Sequence, residues 1–446
     1  MRGVPNRTAG IPWNLRLRNA VRRVDRRRLW IAGWLLAAAW AASFPLVSGL
    51  ETHRVWGWCA AAGYGVAALA ACGLPRPRAR TLSLAAALTG AVALPFLYLV
   101  LTGRAQSEVG VIERSGDLML HQVSPYLELP RSVTDYNPYL PGMAFFGLPA
   151  ALAGDHGWAL RLLTDARVWC AAAFLLCLAA GRRVLGGGPA APTRTGPYGT
   201  AMTVLVASPV VALPLCVSGV DLPLAGLCCL GLALAARGRP ATAGLVLAAA
   251  CSLKWTAWPA IAVAAALLGS ARGTRAALRC TGTALAGTLA VVLPGAVLSP
   301  GPMVQQVLAF PLGSGEVATP AGSPLPGHLL AGLGTAGWYA AVGLLVCGGV
   351  AVAASLVLRP PTGAVAAADR LAAGLCVAFL LAPAGRFGYL ALPLVLVVWT
   401  RLAAGARRPV PPPAGSAPHG APAVPSPRAG AAPVPAPLPV PAGGVR

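Results

Sequence analysis

Few residues in this chain can do chemistry, and their positions are uneven. Only 12 of 446 residues are Asp or Glu, and five of these (Glu108, Glu113, Asp117, Glu128, Asp135) fall in one hydrophilic stretch after the third apolar run. A carboxylate placed where a chain leaves a bilayer can take a proton from a bound hydroxyl, and Glu108 stands at such a place. Glu113, Glu128 and Asp135, taken singly, read as solvated loop charges. The chain has a single lysine, Lys254, in an otherwise apolar stretch and followed by Trp255 and Trp258. A cation there needs an anion such as a lipid phosphate, or must snorkel to the headgroups. Arg386, between the last two apolar runs, is either a second outward cation or a plain loop charge. Asp221, near the start of another run, is either a cleft carboxylate or a helix-terminus charge.

The elements that hold these residues are membrane helices. With 57% hydrophobic and 11% charged residues and a mean hydropathy of +0.68, the chain has more apolar surface than one soluble core can bury. Soluble cytosolic and secreted classes are excluded. Apolar runs at about 30–48, 55–74 and 82–102 precede the acidic stretch, and ten more follow it. The expected fold is an all-α polytopic membrane bundle of about 11 to 13 helices, some too short to cross alone. The net charge of +23 comes largely from arginines ahead of the first run and between later runs. That distribution is a topology signal and argues against a nucleic-acid partner.

Residues 1–28, with nine arginines, read as a basic cytoplasmic arm. Residues 29–80 read as two additional N-terminal helices, 81–401 as the main membrane module, and 402–446, rich in Pro, Ala and Gly, as a disordered cytoplasmic tail. Both termini are therefore expected in the cytoplasm of a plasma-membrane protein, with the acidic stretch and the loop 299–334 outside. Parity between 139 and 198 does not close if 139–153 crosses, because Arg182 and Arg183 then fall outside; a re-entrant segment is one way to close it. The eleven cysteines all lie in apolar runs without a CxxC pair and read as packing residues. Neither a metal-ligand spacing nor a nucleotide-binding loop is present, so no metal and no cofactor are expected.

The stretch from Glu108 to Tyr126, followed by "DYNPYLPGMAFFGLPAAL", resembles the first external loop of the GT-C superfamily of polyprenyl-phosphate-sugar-dependent glycosyltransferases. Within it, the chain is most similar to glycosyltransferase family 87, a mannosyltransferase-like branch. In that pattern an acidic residue is followed about seventeen residues later by Pro-Tyr, as Glu108 is by Pro125-Tyr126. A second block, residues 218–268, resembles the family's Gly-Gln-x-[DN] helix, basic turn, Ala-Gly helix and Lys-x-x-Pro region. Gly219, Asp221, Arg237–Arg239, Ala243-Gly244 and Lys254 occupy the matching places. "LLAPAGRFGYLALPLVLVV" is similar to a late helix pair of the family. The chain departs from the pattern in having Glu108 for the more usual Asp, Val220 for Gln, and Tyr139-Leu140-Pro141 for Tyr-Pro-Pro.

The resemblance implies inverting transfer of a hexose, most simply mannose, from a polyprenyl-phosphate sugar to a glycolipid or cell-envelope glycan acceptor on the outer face. Glu108 would be the base, assisted by His328, the only histidine of the loop 299–334. Lys254 and Arg386 would hold the donor phosphate. Asp117, Tyr126, Tyr136 and Asp221 would line the cleft. Membrane lipids are the remaining partners. The rival readings are a non-catalytic lipid or polysaccharide transporter and a GT-C protein that has lost catalysis; no internal repeat of the transporter type is visible.

Overall fold

A computed structural model describes residues 26–154, 157–186, 197–313, 317 and 319–405. Most of the expected N-terminal arm and nearly all of the Pro-rich tail lie outside the described residues. Those described form an all-α bundle. Its principal helices are α1 (Arg26–Val47), α2 (Glu51–Gly73), α3 (Arg76–Leu101), α4 (Ser107–Gln122), α5 (Ala166–Leu185), α6 (Pro197–Ala207), α7 (Pro209–Val217) and α8 (Leu222–Ala236). They continue as α9 (Pro240–Leu253), α10 (Pro259–Arg272), α11 (Thr274–Leu298), α12 (Thr335–Leu358), α13 (Ala364–Leu381) and α14 (Ala391–Gly405).

Ala- and Leu-rich runs become helices because the hydrocarbon offers no partner for a bare peptide group. Proline marks several starts, at Pro209, Pro223, Pro240 and Pro259, where its missing N–H would have had no partner anyway. Where α2 crosses α3, Gly63 and Gly90 bring the backbones together: a Cβ on Gly63 would sit 2.6 Å from the Gly90 Cα. Around Gly90 the helix widens into a π turn, Thr89–Ala93, and the Ala91 carbonyl accepts a hydrogen bond from Trp56 Nε1 at 2.9 Å.

Among the described residues, eight helices are individually long and apolar enough to cross a membrane, nine if α6 and α7, bent by 57°, count as one span. The helices α8, α9 and α10 have 15, 14 and 14 residues, about 21–22 Å at 1.5 Å per residue, short of the roughly 30 Å of hydrocarbon. Shelter explains how α8 remains so short: it packs on α5, α9, α10, α13 and α14 and is buried along most of its length.

Contacts sort the helix ends into two groups. At one end Arg27 Nε donates to the Ala71 carbonyl at 2.9 Å, the Arg182 guanidinium lies 3.6 Å from the Tyr198 ring centroid, Ser270 Oγ donates to the Pro361 carbonyl at 3.3 Å, and Arg401 pairs with Asp369 at 2.6 Å. At the other, Arg104 pairs with Glu51 at 2.7 Å, Lys254 with Asp221 at 2.8 Å, and Arg386 with Glu108. Among the described residues the nine spans and the three short helices alternate in direction between these two ends. The run at 139–153 supplies none of them. It folds as a 3-10 turn, Pro141–Phe146, and a six-residue helix, Leu148–Ala153, both too short to cross. Parity therefore closes, and Arg182 and Arg183 fall at the arginine-rich end.

The opposite end is tied by a residue whose importance the sequence pattern did not show. Arg167, in the first turn of α5, is completely buried and pairs in bidentate fashion with Asp165, at 2.9 Å through Nε and 2.6 Å through a terminal nitrogen. Its remaining donors reach the carbonyls of Leu99 (3.3 Å), Arg104 (2.9 Å) and Cys216 (3.1 Å), the last turns of α3 and α7 and the loop between α3 and α4. One guanidinium thus joins three helix ends. Removing it strands a buried carboxylate, so Arg167→Met should lower the stability of the detergent-solubilised protein by about 3–5 kcal/mol, read as a fall in thermal midpoint. The double variant Asp165→Asn/Arg167→Met should recover part of that loss; a double variant no more stable than the single one would show that the charge pairing is not what matters.

Candidate functional site

Four charged residues far apart in sequence meet at the non-arginine-rich end. Glu108 is the second residue of α4, a helix seated by the hydrogen bond from Gln106 N–H to the Val217 carbonyl, 2.9 Å. The helix buries Val109, Val111 and Ile112 and lies close against Gly147, where a Cβ would come within 2.1 Å of the Ile112 carbonyl oxygen. Asp221 occupies the turn between α7 and α8, which Gly219 closes at φ +71°. Although Asp221 stands at the N-cap of α8, its side chain caps nothing and instead accepts from Lys254 Nζ at 2.8 Å.

Lys254 sits at the break between α9 and α10, in extended backbone. The segment 136–146 hooks onto this break through the bond from Leu140 N–H to the Leu253 carbonyl, 2.9 Å, and brings the Tyr139 ring to 5.5 Å from the ammonium. The Tyr389 ring lies 4.9 Å from it. Arg386 is carried by the loop after α13. That loop is braced by the loop before α12: Gly385 N–H donates to the Ala321 carbonyl and Ser323 N–H to the Gly385 carbonyl, at 2.9 and 3.0 Å.

The cluster is electrically balanced, with two cations against two carboxylates. Side-chain exposure is 13% for Lys254, 32% for Asp221, 18% for Glu108 and 35% for Arg386, so all four remain open to a ligand, unlike Arg167. Burial disfavours the Lys254 ammonium, but Asp221, Tyr389 and Glu108 together outweigh it, and its pKa lies above the ordinary lysine value. Arg386 is likewise raised, burial being outweighed by Glu108, Tyr389 and Tyr139 together. Burial, with Glu108 and Asp221 nearby, pushes the Tyr139 phenol well up, so it stays protonated.

These residues line a cavity of about 2130 Å³. Its polar mouth continues into an apolar branch between α7, α8, α12, α13 and α14, lined by Leu213, Leu345, Gly349, Leu375 and Val395. Leu345 and Gly349 are one turn apart near the middle of α12, so this apolar lining lies well inside that helix. An amphiphile with a charged head and a long hydrocarbon chain matches this shape.

Of the residues singled out in the sequence, Glu108, Lys254, Arg386, Asp221 and Tyr136 line the cavity. Tyr136 stacks on Phe310 at 4.5 Å. Tyr126 is buried behind the wall, its hydroxyl donating to the Tyr139 carbonyl at 3.0 Å. Asp117 is exposed on α4 beside His121, 3.3 Å away, and does not line the cavity. His328 does not line it either; its Nδ1 donates to the Pro383 carbonyl at 2.9 Å, bracing the loop that carries Arg386. Two other acids of the stretch have structural partners. Glu113 accepts from Ala166 N–H at the start of α5, 3.2 Å. Asp135 accepts from Ser132 and Arg131, and these bonds hold its carboxyl below the usual range. Sequence reasoning missed Tyr389, Tyr139 and His53 as lining residues. Only an aromatic beside a mapped cation, or a histidine opening an apolar run, hinted at them.

Among the described residues no group of three His, Cys, Asp or Glu is placed to hold a metal ion. Neither a curated protein nor a solved structure matches the chain. A sequence profile does: that of glycosyltransferase family 87 matches residues 137–383, more than half of the chain. The matched stretch contains Asp221, Lys254 and the turn that presents Tyr139, with Glu108 and Arg386 on elements packed directly against it. On that match and an all-α multi-pass bundle, the chain belongs to glycosyltransferase family 87.

Proposed function

We propose that this protein is a plasma-membrane hexosyltransferase that moves a sugar, mannose in the simplest case, from a polyprenyl-phosphate donor to a hydroxyl of a glycolipid or cell-envelope glycan. The observation that carries this reading is the meeting of Glu108, Asp221, Lys254 and Arg386 at the mouth of a cavity whose inner branch is apolar. The prenyl chain would lie in the branch between α7, α8, α12, α13 and α14, and the sugar and phosphate at the charged mouth. The excess of arginine at the other end, at Arg76–Arg80, Arg182, Arg183, Arg237–Arg239 and Arg272–Arg279, supports placing that end and both termini in the cytoplasm. The site then faces outward.

The chemistry asks little of the leaving group, since a phosphate departs as a stable anion. As the acceptor oxygen bonds to the anomeric carbon, the bond from that carbon to the phosphate oxygen breaks, and the acceptor proton passes to Glu108. Attack opposite the phosphate inverts the anomeric centre. Lys254 and Arg386 stabilise the charge that grows on the phosphate, which is the larger electrostatic task. In the resting site each cation is already neutralised, so an arriving phosphate competes with Asp221 for Lys254 and with Glu108 for Arg386. When Arg386 turns to the phosphate, Glu108 is released to act as base. His328 assists from a distance by holding the Arg386 loop in place.

Two substitutions test this with radiolabelled polyprenyl-phosphate mannose and membranes carrying each variant. Glu108→Gln should reduce transfer by about 100- to 10,000-fold while donor binding changes little; transfer at the wild-type rate would remove the base assignment. Lys254→Met, made together with Asp221→Asn so that no buried carboxylate is stranded, should raise the donor KM at least tenfold, equivalent to about 1.4 kcal/mol of lost phosphate binding. An unchanged KM would exclude Lys254 as a phosphate ligand.

A further inference from the structure

The family profile begins at residue 137, yet one wall of the cavity comes from the N-terminal hairpin, through Trp40 and Phe44 of α1 and Thr52 and His53 of α2. His53 is half-buried in the first turn of α2. Its Nε2 lies 2.9 Å from Gln106 Nε2, its Nδ1 3.3 Å from Ser48 Oγ, and the Phe44 ring covers it at 5.6 Å. An amide nitrogen can only donate. With that nitrogen toward the ring, Gln106 gives its hydrogen to His53 Nε2, and the ring keeps its own hydrogen on Nδ1, directed at Ser48. This orientation of the amide goes with the neutral imidazole, whereas the opposite one would accept from an Nε2–H, and nitrogen-15 spectra distinguish the two.

Gln106 is no ordinary loop residue. It is the N-cap of α4, two positions before Glu108; its N–H is bound to Val217, and its carbonyl accepts from Val109 N–H at 3.0 Å. Fixing the Gln106 side chain therefore fixes the turn that aims Glu108. The charges near His53 come from four elements. Glu108 on α4 and Arg386 on the loop after α13 act on it electrostatically, and Arg104, on the loop after α3, pairs with Glu51 in the same first turn of α2. Arg54 adjoins it in the chain but is exposed.

We propose that His53 is a positioning residue for Glu108: the neutral ring holds Gln106 and sets the first turn of α4, and protonation of the ring breaks that bond and adds a cation beside the Glu108–Arg386 pair. The hairpin outside the family profile thereby becomes part of the catalytic apparatus. This rests on Glu108 being the base.

The test measures mannose transfer from polyprenyl-phosphate mannose by the full chain over about pH 5 to 8, the range in which an imidazole titrates. His53→Ala should lower kcat by about tenfold with the donor KM within about twofold, the signature of lost positioning. His53→Gln, whose amide oxygen can accept from Gln106, should restore most of kcat. It should also lack the decline that the wild type shows as pH falls and the ring charges. Wild-type kcat in His53→Ala, or pH profiles of wild type and His53→Gln that superimpose, would overturn the proposal.

A second readout does not need turnover. Nitrogen-15 spectra of the histidine-labelled protein, with its five histidines and His53→Gln as the assignment control, should show His53 neutral and protonated on Nδ1, a state lost in Gln106→Leu. A ring hydrogen found on Nε2 instead would also sink the proposal. A wild type that transfers sugar from no polyprenyl-phosphate donor would overturn the functional reading, and the nitrogen spectra would still decide whether His53 holds Gln106.

Discussion

A guanidinium with no exposure to water holds the site end of this bundle together. Arg167 has five hydrogens to place in a medium without solvent, and it places them on the Asp165 carboxylate and on the carbonyls of Leu99, Arg104 and Cys216. Those carbonyls come from segments widely separated in sequence. Once they are fixed, the short link from α3 to α4 has little freedom, Gln106 docks on Val217, and Glu108 is delivered to the cavity. A buried ion pair adds little stability over a well-packed apolar substitute. Here its value is geometric, because the fork of an arginine accepts only one arrangement of the three chain ends.

The same scarcity of water explains why the site charges come in pairs. Lys254 and Arg386 are cations at the edge of hydrocarbon, and each needs a permanent anion while no ligand is bound. Asp221 and Glu108 supply them. On the function proposed above, a phosphate would enter by exchanging partners, so that occupancy of the donor subsite would free the Glu108 carboxylate.

The loops at the site end do a different task. The segments around 321–328 and 382–386 bind each other through main-chain hydrogen bonds and through His328, and the segment 136–146 is anchored on the end of α9. Without such bracing, residues on loops would not meet at fixed distances. The two aromatic rings near Lys254 come from the segment 136–146, through Tyr139, and from the turn just after 382–386, through Tyr389, so the cation is held by parts of the chain that share no local sequence relation.

What the sequence alone determined follows from the solvent. An apolar run long enough to cross a bilayer must be helical wherever it sits, and arginine counts between runs give the alternation of ends; hence the helical bundle, the gathering of acids near one end and the singling out of Lys254, Glu108, Arg386 and Asp221 were legible. The residues 139–153 were ambiguous because composition cannot tell a crossing from a fold-back; the proline and glycine at 141 and 142 and the close approach of Gly142 to Ser252 decide it. Tertiary structure alone decided which carboxylate meets which cation, that His328 braces and Tyr126 backs the wall, that Asp117 faces away, and that His53 and Arg167 matter. Pairings between residues such as 108 and 386 depend on how helices pack, and helices rich in Ala and Leu, which suit many neighbours equally, carry almost no local record of which neighbour they have.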